Sequence, residues 1–206
     1  MKTPVVVLTG GMGMGKSTAC SLLQELGIEV VDADSLAHQL TQPDGEAIAA
    51  IEAVFGRSVI RADGGLDRPA MRARAFESPG QRVQLESILH PLIQAAAQEA
   101  LGRARGPYCV YAVPLWAEVY GQERPDWAWR VVTLDLPTDI QLARIRSRGA
   151  PPDDELQAML DRQASRRDRR QSADLVIDNR GSLDDLRREI RALHTRLVSE
   201  SPSKQA

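Results

Sequence analysis

Several classes of protein are excluded by what this chain lacks. It carries two cysteines in 206 residues, Cys20 and Cys109, too few for a disulfide framework and without the spacing of a zinc site. One falls in a predicted helix and the other in a predicted strand, so both read as reduced packing residues. No stretch reaches the roughly 18 apolar residues of a membrane span. Met1-Lys2 leads directly into a strand, without the apolar run and small-residue cleavage site of a signal peptide. A cytoplasmic protein with no membrane partner is therefore expected. Charge of one sign is missing too. The formal net charge is -2, and such a balance gives no reason to expect nucleic acid as a partner. There is no internal repeat and no low-complexity segment. Nothing in the sequence fixes an oligomeric state.

What is present is ordinary in bulk. Hydrophobic residues make up 43% and charged residues 26% of the chain, the balance of a soluble globular protein, and the length suits one domain with small appended lobes. Val5 to Thr9 is a continuous apolar, β-branched run, the pattern of a parallel strand buried on both faces. A glycine-rich turn follows, then a predicted helix over 17–26 with Leu22, Leu23 and Leu26 in one stripe and Gly27 as its stop. Ile28 to Val31 is a second strand, which makes a right-handed crossover in a parallel sheet. The next stretch is mostly helical, with predicted helices over 35–41 and 46–55 and breaks at Pro43-Asp44-Gly45 and Asp63-Gly64-Gly65. Pro69 stands where a helix would start, and a longer helix over 81–103 contains Pro91, which should kink or break it near His90. Strands return at 108–113 and 130–134. Helices over 138–148 and 153–165 flank the breaker Gly149-Ala150-Pro151-Pro152. A short strand at 175–177 and an amphipathic helix over 182–197 complete the pattern, and the polar tail 199–206 is expected to be disordered.

Five strands alternating with helices predict an α/β fold, a five-stranded parallel sheet flanked by helices. The helical excursions after the second and fourth strands are too long for ordinary crossovers and read as lobes. A core over about 1–34, 106–143 and 174–198 would then carry one lobe at about 35–105 and another at about 144–173.

The segment Gly10-Gly11-Met12-Gly13-Met14-Gly15-Lys16-Ser17 fits G-x-x-x-x-G-K-[ST] between a strand and a helix, the context this phosphate-binding loop requires. Glycines permit the dihedrals that turn successive N–H groups inward as an anion nest. The helix that follows points its positive end at the same place. Lys16 supplies a mobile charge for β- and γ-phosphates, and the Ser17 hydroxyl is placed to ligate magnesium.

Asp32 and Asp34 follow the second strand at the carboxyl edge of the sheet, where ligands bind in open α/β folds. Either is a candidate general base for an attacking hydroxyl or a magnesium-shell residue. The competing reading is that one of them caps the helix at Ser35. Eight arginines and no lysine lie between Arg144 and Arg170. Arg162, Arg166, Arg169 and Arg170 share helical spacing, which suits a movable lid that neutralises transferring phosphoryl oxygens and excludes water. Trp116, Trp127, Trp129 and Tyr120 cluster between the third and fourth strands as packing residues or as a wall for an aromatic ring.

The motifs together resemble the dephospho-CoA kinase family. The matching pieces run in order. They are Leu8 to Thr18, Val31-Asp32-Ala33-Asp34, Phe55-Gly56, Asp63 to Arg68, and His90-Pro91-Leu92-Ile93. Val113-Pro114-Leu115 with Glu118, Gln163-Ala164-Ser165-Arg166, and Ile177 to Gly181 follow. The resemblance implies a P-loop NTPase fold whose core binds ATP, a helical lobe for dephospho-CoA and an arginine-bearing lid. It implies that Asp34 takes the proton of the ribose 3′-hydroxyl, that Lys16, Arg148 and Arg166 act on the phosphates, and that Ser17 holds Mg2+. ATP would lie on Gly11, Gly13, Met14, Gly15, Lys16, Ser17, Thr18 and Asn179, with Asn179 near the adenine. His90 would help to form the substrate pocket. Three features depart from the family: Gly149 stands where an acidic residue is usual, Trp116 replaces an aliphatic residue, and the stretch from Tyr120 to Trp129 is longer. The rival readings are a nucleoside-monophosphate-type kinase with another acceptor and a nucleotide-dependent switch.

Overall fold

The computed structural model describes residues 2–77, 79–149, 152–161 and 163–202. The elements in chain order are β1 (Val5–Thr9), α1 (Lys16–Glu25), β2 (Val30–Asp32), α2 (Ala33–Leu40), α3 (Ile48–Phe55), α4 (Arg68–Glu77) and α5 (Pro79–Arg103). After these come β3 (Cys109–Ala112), α6 (Trp116–Tyr120), β4 (Ala128–Asp135), α7 (Thr138–Ser147), α8 (Asp153–Asp161), α9 (Arg166–Gln171), β5 (Leu175–Asp178) and α10 (Leu183–Glu200). The strands form one five-stranded sheet in the order β2-β3-β1-β4-β5. β1 pairs in parallel with β3 and β4, and β4 with β5. Parallel pairing puts the carboxyl ends of these strands on one edge, and β1, the most apolar strand, takes the central place.

The chain divides into two compact units, Met1–Val31 with Leu101–Ala206, and Asp32–Ala100. In the first unit the period-two alternation of strand side chains sorts the core onto two faces. Val6 and Leu8 join Val110, Val132, Leu134 and Ile177 on one face, covered by Leu22 and Leu23 of α1 and Leu186, Ile190, Leu193 and Leu197 of α10. Val7 points the other way, into a cluster with Trp116, Ala128 and Val131. Trp116 is 1% exposed and packs against Tyr120 and Trp127. Trp116 therefore fills a core with Tyr120 packed against it, Trp127 lies at its exposed edge, and part of the stretch read as a loop is the short helix α6. Both cysteines are buried, and neither is in a disulfide. Burial, with the charge of Glu29, pushes the Cys109 thiol up to about 11.

The second unit has its own core of Leu40, Ile51, Phe55, Val59, Leu66 and Met71, with Leu85, Ile88, Leu89, Leu92 and Ile93 of α5 packed against it. Here the expected break does not occur. α5 runs unbroken for 25 residues through Pro91. Proline forfeits one hydrogen bond, but the leucine and isoleucine side chains on either side of it are tied into one cluster, and their burial outweighs that loss.

Two further expectations change. The helix predicted over 153–165 ends at Asp161, and α9 begins afresh at Arg166 with Ser165 as its cap, the Ser165 hydroxyl accepting the Asp168 N–H. The tail does not begin at 199. α10 continues to Glu200, held by an ion pair from Arg196 at 2.7 Å, and buried Ser201 donates its hydroxyl to the Pro107 carbonyl at 2.5 Å. Arg162, the Ala150-Pro151 part of the breaker and residues 203–206 of the tail lie outside the described residues.

Candidate active site

Between β1 and α1 the backbone turns through left-handed conformations at Gly13 and Gly15, with φ of +78° and +93°. Such values favour glycine because a Cβ would crowd the backbone. Gly13 has a second constraint, since an added methyl would stand 2.7 Å from Ile145 Cγ1 on α7. Gly15 is the N-cap residue of α1, and no side chain caps that end. The first-turn amides and the positive helix end are thereby left for an anion. Lys16, the first residue of α1, is only 9% exposed, an unusual place for an ammonium group. Ser17 beside it is exposed. Lysine is scarce in this chain, occurring only as Lys2, Lys16 and Lys204.

Three amide side chains hold the loop in shape. Gln141 of α7 donates Nε2–H to the Met12 carbonyl at 2.7 Å, and the Met12 N–H reaches Gln163 Oε1 at 3.3 Å. Asn179, just past β5 and buried, donates Nδ2–H to the Met14 carbonyl at 2.8 Å. Its own backbone N–H bonds the Asp135 carbonyl at 2.9 Å, so the loop is tied to the end of β4. Each such bond contributes about 1 kcal/mol net, and loss of the buried Asn179 bond leaves the Met14 carbonyl unsatisfied.

Asp135 ends β4 opposite Asp178 of β5 and is 5% exposed. Its carboxylate receives Arg166 Nε–H at 2.8 Å and Nη2–H at 2.7 Å, and Arg170 Nη1–H at 2.6 Å. Burial pushes this carboxyl up, but the hydrogen bonds and charges of Arg166 and Arg170 outweigh it and hold the group below its ordinary range. Asp178, more exposed, is held low chiefly by its hydrogen bonds from Arg180. The segment ahead of α9 is fixed as well. Glu118 Oε1 accepts the Ala164 N–H at 2.7 Å, and buried Arg169 donates to the Ala164 carbonyl at 2.5 Å. An uncapped helix start, a buried lysine and a pair of arginines thus gather at the carboxyl edge of the central strands, a setting for phosphate chemistry.

A family model described as dephospho-CoA kinase matches residues 4–185. The chain belongs to the dephospho-CoA kinase family. Curated relatives named dephospho-CoA kinase include that of Aromatoleum aromaticum, 45% identical over 196 residues, covering 95% of this chain and 94% of the relative. That of Thiobacillus denitrificans is 45% identical over 192 residues, covering 93% and 94%. Among solved structures, a Thermus thermophilus protein is 28% identical, with a TM-score of 0.78 over 96% of this chain and 99% of that one. Dephospho-CoA kinase from Campylobacter jejuni shares the fold at 22% identity, with a TM-score of 0.65 over 95% of this chain and 97% of that one.

Within this family framework, the residues singled out by sequence fall as follows. Gly11 to Thr18 form the loop and the first turn of α1, and Asn179 lies on the loop backbone itself. Arg166 reaches the sheet edge through Asp135, whereas Arg148 closes α7, is exposed and takes no part in that pair. The shared arginine face is narrower than its helical spacing suggested. Arg166 and Arg170 converge on Asp135, and Arg169 turns inward. In the second unit, Asp32 caps α2 by accepting the Ser35 N–H at 3.0 Å, so the capping role falls to Asp32, and Asp34 lies in the first turn of α2. His90 is an exposed residue of α5. Sequence reasoning passed over Asp135 and Gln141, and it quoted Gln163 within a matching motif without giving it a role. A lone acid ending an apolar strand was the available signal for Asp135, the same signal that drew attention to Asp32.

Proposed function

We propose that the protein transfers the γ-phosphoryl group of ATP to the ribose 3′-hydroxyl of dephospho-CoA, yielding CoA and ADP. The observation that carries this reading is a complete phosphate-binding loop, with buried Lys16 at an uncapped helix start, inside a chain matched over 4–185 by the dephospho-CoA kinase family.

The loop amides and Lys16 bind the ATP phosphates, and positive charge concentrated there stabilises the oxygens of the transferring group. Lys16 and Arg166 act on those oxygens as catalytic residues, with Arg148 joining them from the end of α7. Mg2+ fits the donor set present, because the exposed Ser17 hydroxyl supplies one hard oxygen ligand and the phosphates supply others. Among the described residues no three His, Cys, Asp or Glu side chains group as a cage of their own. When bound with ATP, the ion neutralises phosphate charge. Asp34 accepts the proton of the 3′-hydroxyl, and His90 contributes to the dephospho-CoA pocket. The backbone of Gly11, Gly13, Met14 and Gly15 with Thr18 cradles ATP, and Asn179 sits beside the adenine while fixing the loop. No helix among the described residues is long and apolar enough to cross a membrane. The reaction is assigned to the cytoplasm, where ATP is available.

The deciding experiment offers ATP with dephospho-CoA, AMP, CMP or shikimate and measures ADP. Turnover should appear with dephospho-CoA alone. ADP formation that ignores the acceptor would replace this reading with a hydrolytic switch, and preference for AMP or CMP would replace it with a nucleotide kinase. Lys16→Ala should weaken ATP binding and rate together. Asp34→Asn should lower kcat by about 100-fold or more with little change in ATP affinity, and normal turnover in that variant would remove Asp34 as the base.

A further inference from the structure

We propose that Asp135 is a positioning residue for phosphoryl transfer, bracing Arg166 and Arg170 so that the outer edge of the Arg166 guanidinium meets a phosphate oxygen. The proposal rests on the reading that Arg166 acts on phosphate. A guanidinium has five N–H donors in a planar fork. Asp135 takes one from Nε and one from Nη2 of Arg166, the side-on edge. The two N–H groups of Nη1 and the second of Nη2 have no acceptor among the described residues. The Arg166 and Arg170 side chains are 44% and 49% exposed, against 6% for Asp135. The buried carboxylate is thus an anchor inside the sheet edge, and the arginines are its accessible ends.

The charge sum agrees with this arrangement. One carboxylate faces two guanidiniums, so the cluster keeps one net positive charge next to the anion-binding loop. A contact that merely stored the arginines would occupy the edge a phosphate needs, and nucleotide would have to displace it. The side-on grip leaves that edge open, so nucleotide adds to the cluster and dismantles nothing. It also freezes the long Arg166 side chain before nucleotide arrives, which lowers the entropy loss on reaching the transition state. The Glu118 and Arg169 contacts at Ala164 and the Ser165 cap fix the backbone from which Arg166 projects.

The test uses the full-length protein labelled with 15N. The Arg166 Nε–H should give a slowly exchanging signal, assigned by its absence in Arg166→Lys. Asp135→Asn should abolish that protection, and ATP with magnesium should leave it intact while shifting the Nη signals. In steady state, Asp135→Asn should lower kcat about 10- to 100-fold, with KM for dephospho-CoA changed less than about threefold. The double variant with Arg166→Lys should be no slower than the slower single one. Protection that survives in Asp135→Asn, unchanged kcat, or losses that multiply would each overturn the proposal. Collapse of the Nε–H signal on adding ATP would convert the brace into a latch and overturn it equally. If Asp135→Asn loses its cooperative thermal transition, Asp135→Glu takes its place, since the extra methylene displaces the carboxylate while keeping its charge. A wild-type protein without acceptor-dependent turnover would refute the proposed reaction, and the brace would then stand or fall on the Nε–H signals.

Discussion

At Gly13 two constraints coincide, a backbone φ of +78° and the approach of Ile145 Cγ1 to within 2.7 Å of where a methyl would sit. Gly27 separates them, because it has nearly the same φ, +79°, with nothing within 4 Å. Gly27→Ala should therefore report backbone strain alone, about 1 kcal/mol of lost stability. Gly13→Ala should destabilise by more, about 2–4 kcal/mol once α7 is pushed away, and should weaken ATP binding, which Gly27→Ala leaves unchanged. Chemical denaturation and nucleotide titration of the two variants check this. Equal effects would mean that the approach of Ile145 is readily relieved. The loop was legible at this scale because its glycines, lysine and serine are contiguous and each has a local physical reason. Asp135 was not, because its partners Arg166 and Arg170 lie 31 and 35 residues away in sequence. A carboxylate ending a strand does not announce which cation it will meet.

Elements were predicted well where one periodicity governs them and poorly where a long-range contact overrides a local rule. The five strands and the amphipathic α10, whose Leu186, Ile190, Leu193 and Leu197 are all buried, follow directly from pattern. Pro91 is the opposite case, a local breaker outvoted by the cluster that Leu89, Leu92 and Ile93 join. Replacing it restores the missing donor on an exposed position of α5. Pro91→Ala should raise stability by about 1–3 kcal/mol, seen as a higher urea midpoint, and a lower midpoint would show that the proline packs better than it bonds. The division between α8 and α9 was hidden for a similar reason. Ser165 reads as the last residue of one helix until its bonds with Asp168 make it the cap of the next. Ser165→Ala should remove about 0.5–2 kcal/mol from that helix and, by loosening the segment carrying Arg166, reduce kcat more than ATP affinity.

Across the whole molecule, arginine carries the positive charge and settles the acid response. Asp63, Asp178, Asp185 and Glu200 are each held low, by Arg61, Arg180, Ser182 ahead of Arg188, and Arg196 respectively, but these are exposed or half-buried surface groups whose pairs contribute little. Asp135 is the buried one. Its folded value lies below the ordinary carboxylate value near 3.9, so the unfolded chain binds more protons between the two. Stability from this group is complete above about pH 5 and is lost as pH falls through the folded value. Urea unfolding between pH 3 and 6 should show a fall in stability toward acid that Asp135→Asn flattens, and a parallel slope in that variant would assign the acid sensitivity elsewhere. The scarcity of lysine has a consequence for chemistry done on the protein. Amine-directed reagents have three side-chain targets, and two of them, Lys2 and Lys204, lie within a few residues of the chain ends. Lys16 alone sits in the phosphate loop and is buried there, so its rate of acylation, read by mass from one peptide, reports how often the loop opens, and bound nucleotide should slow it further.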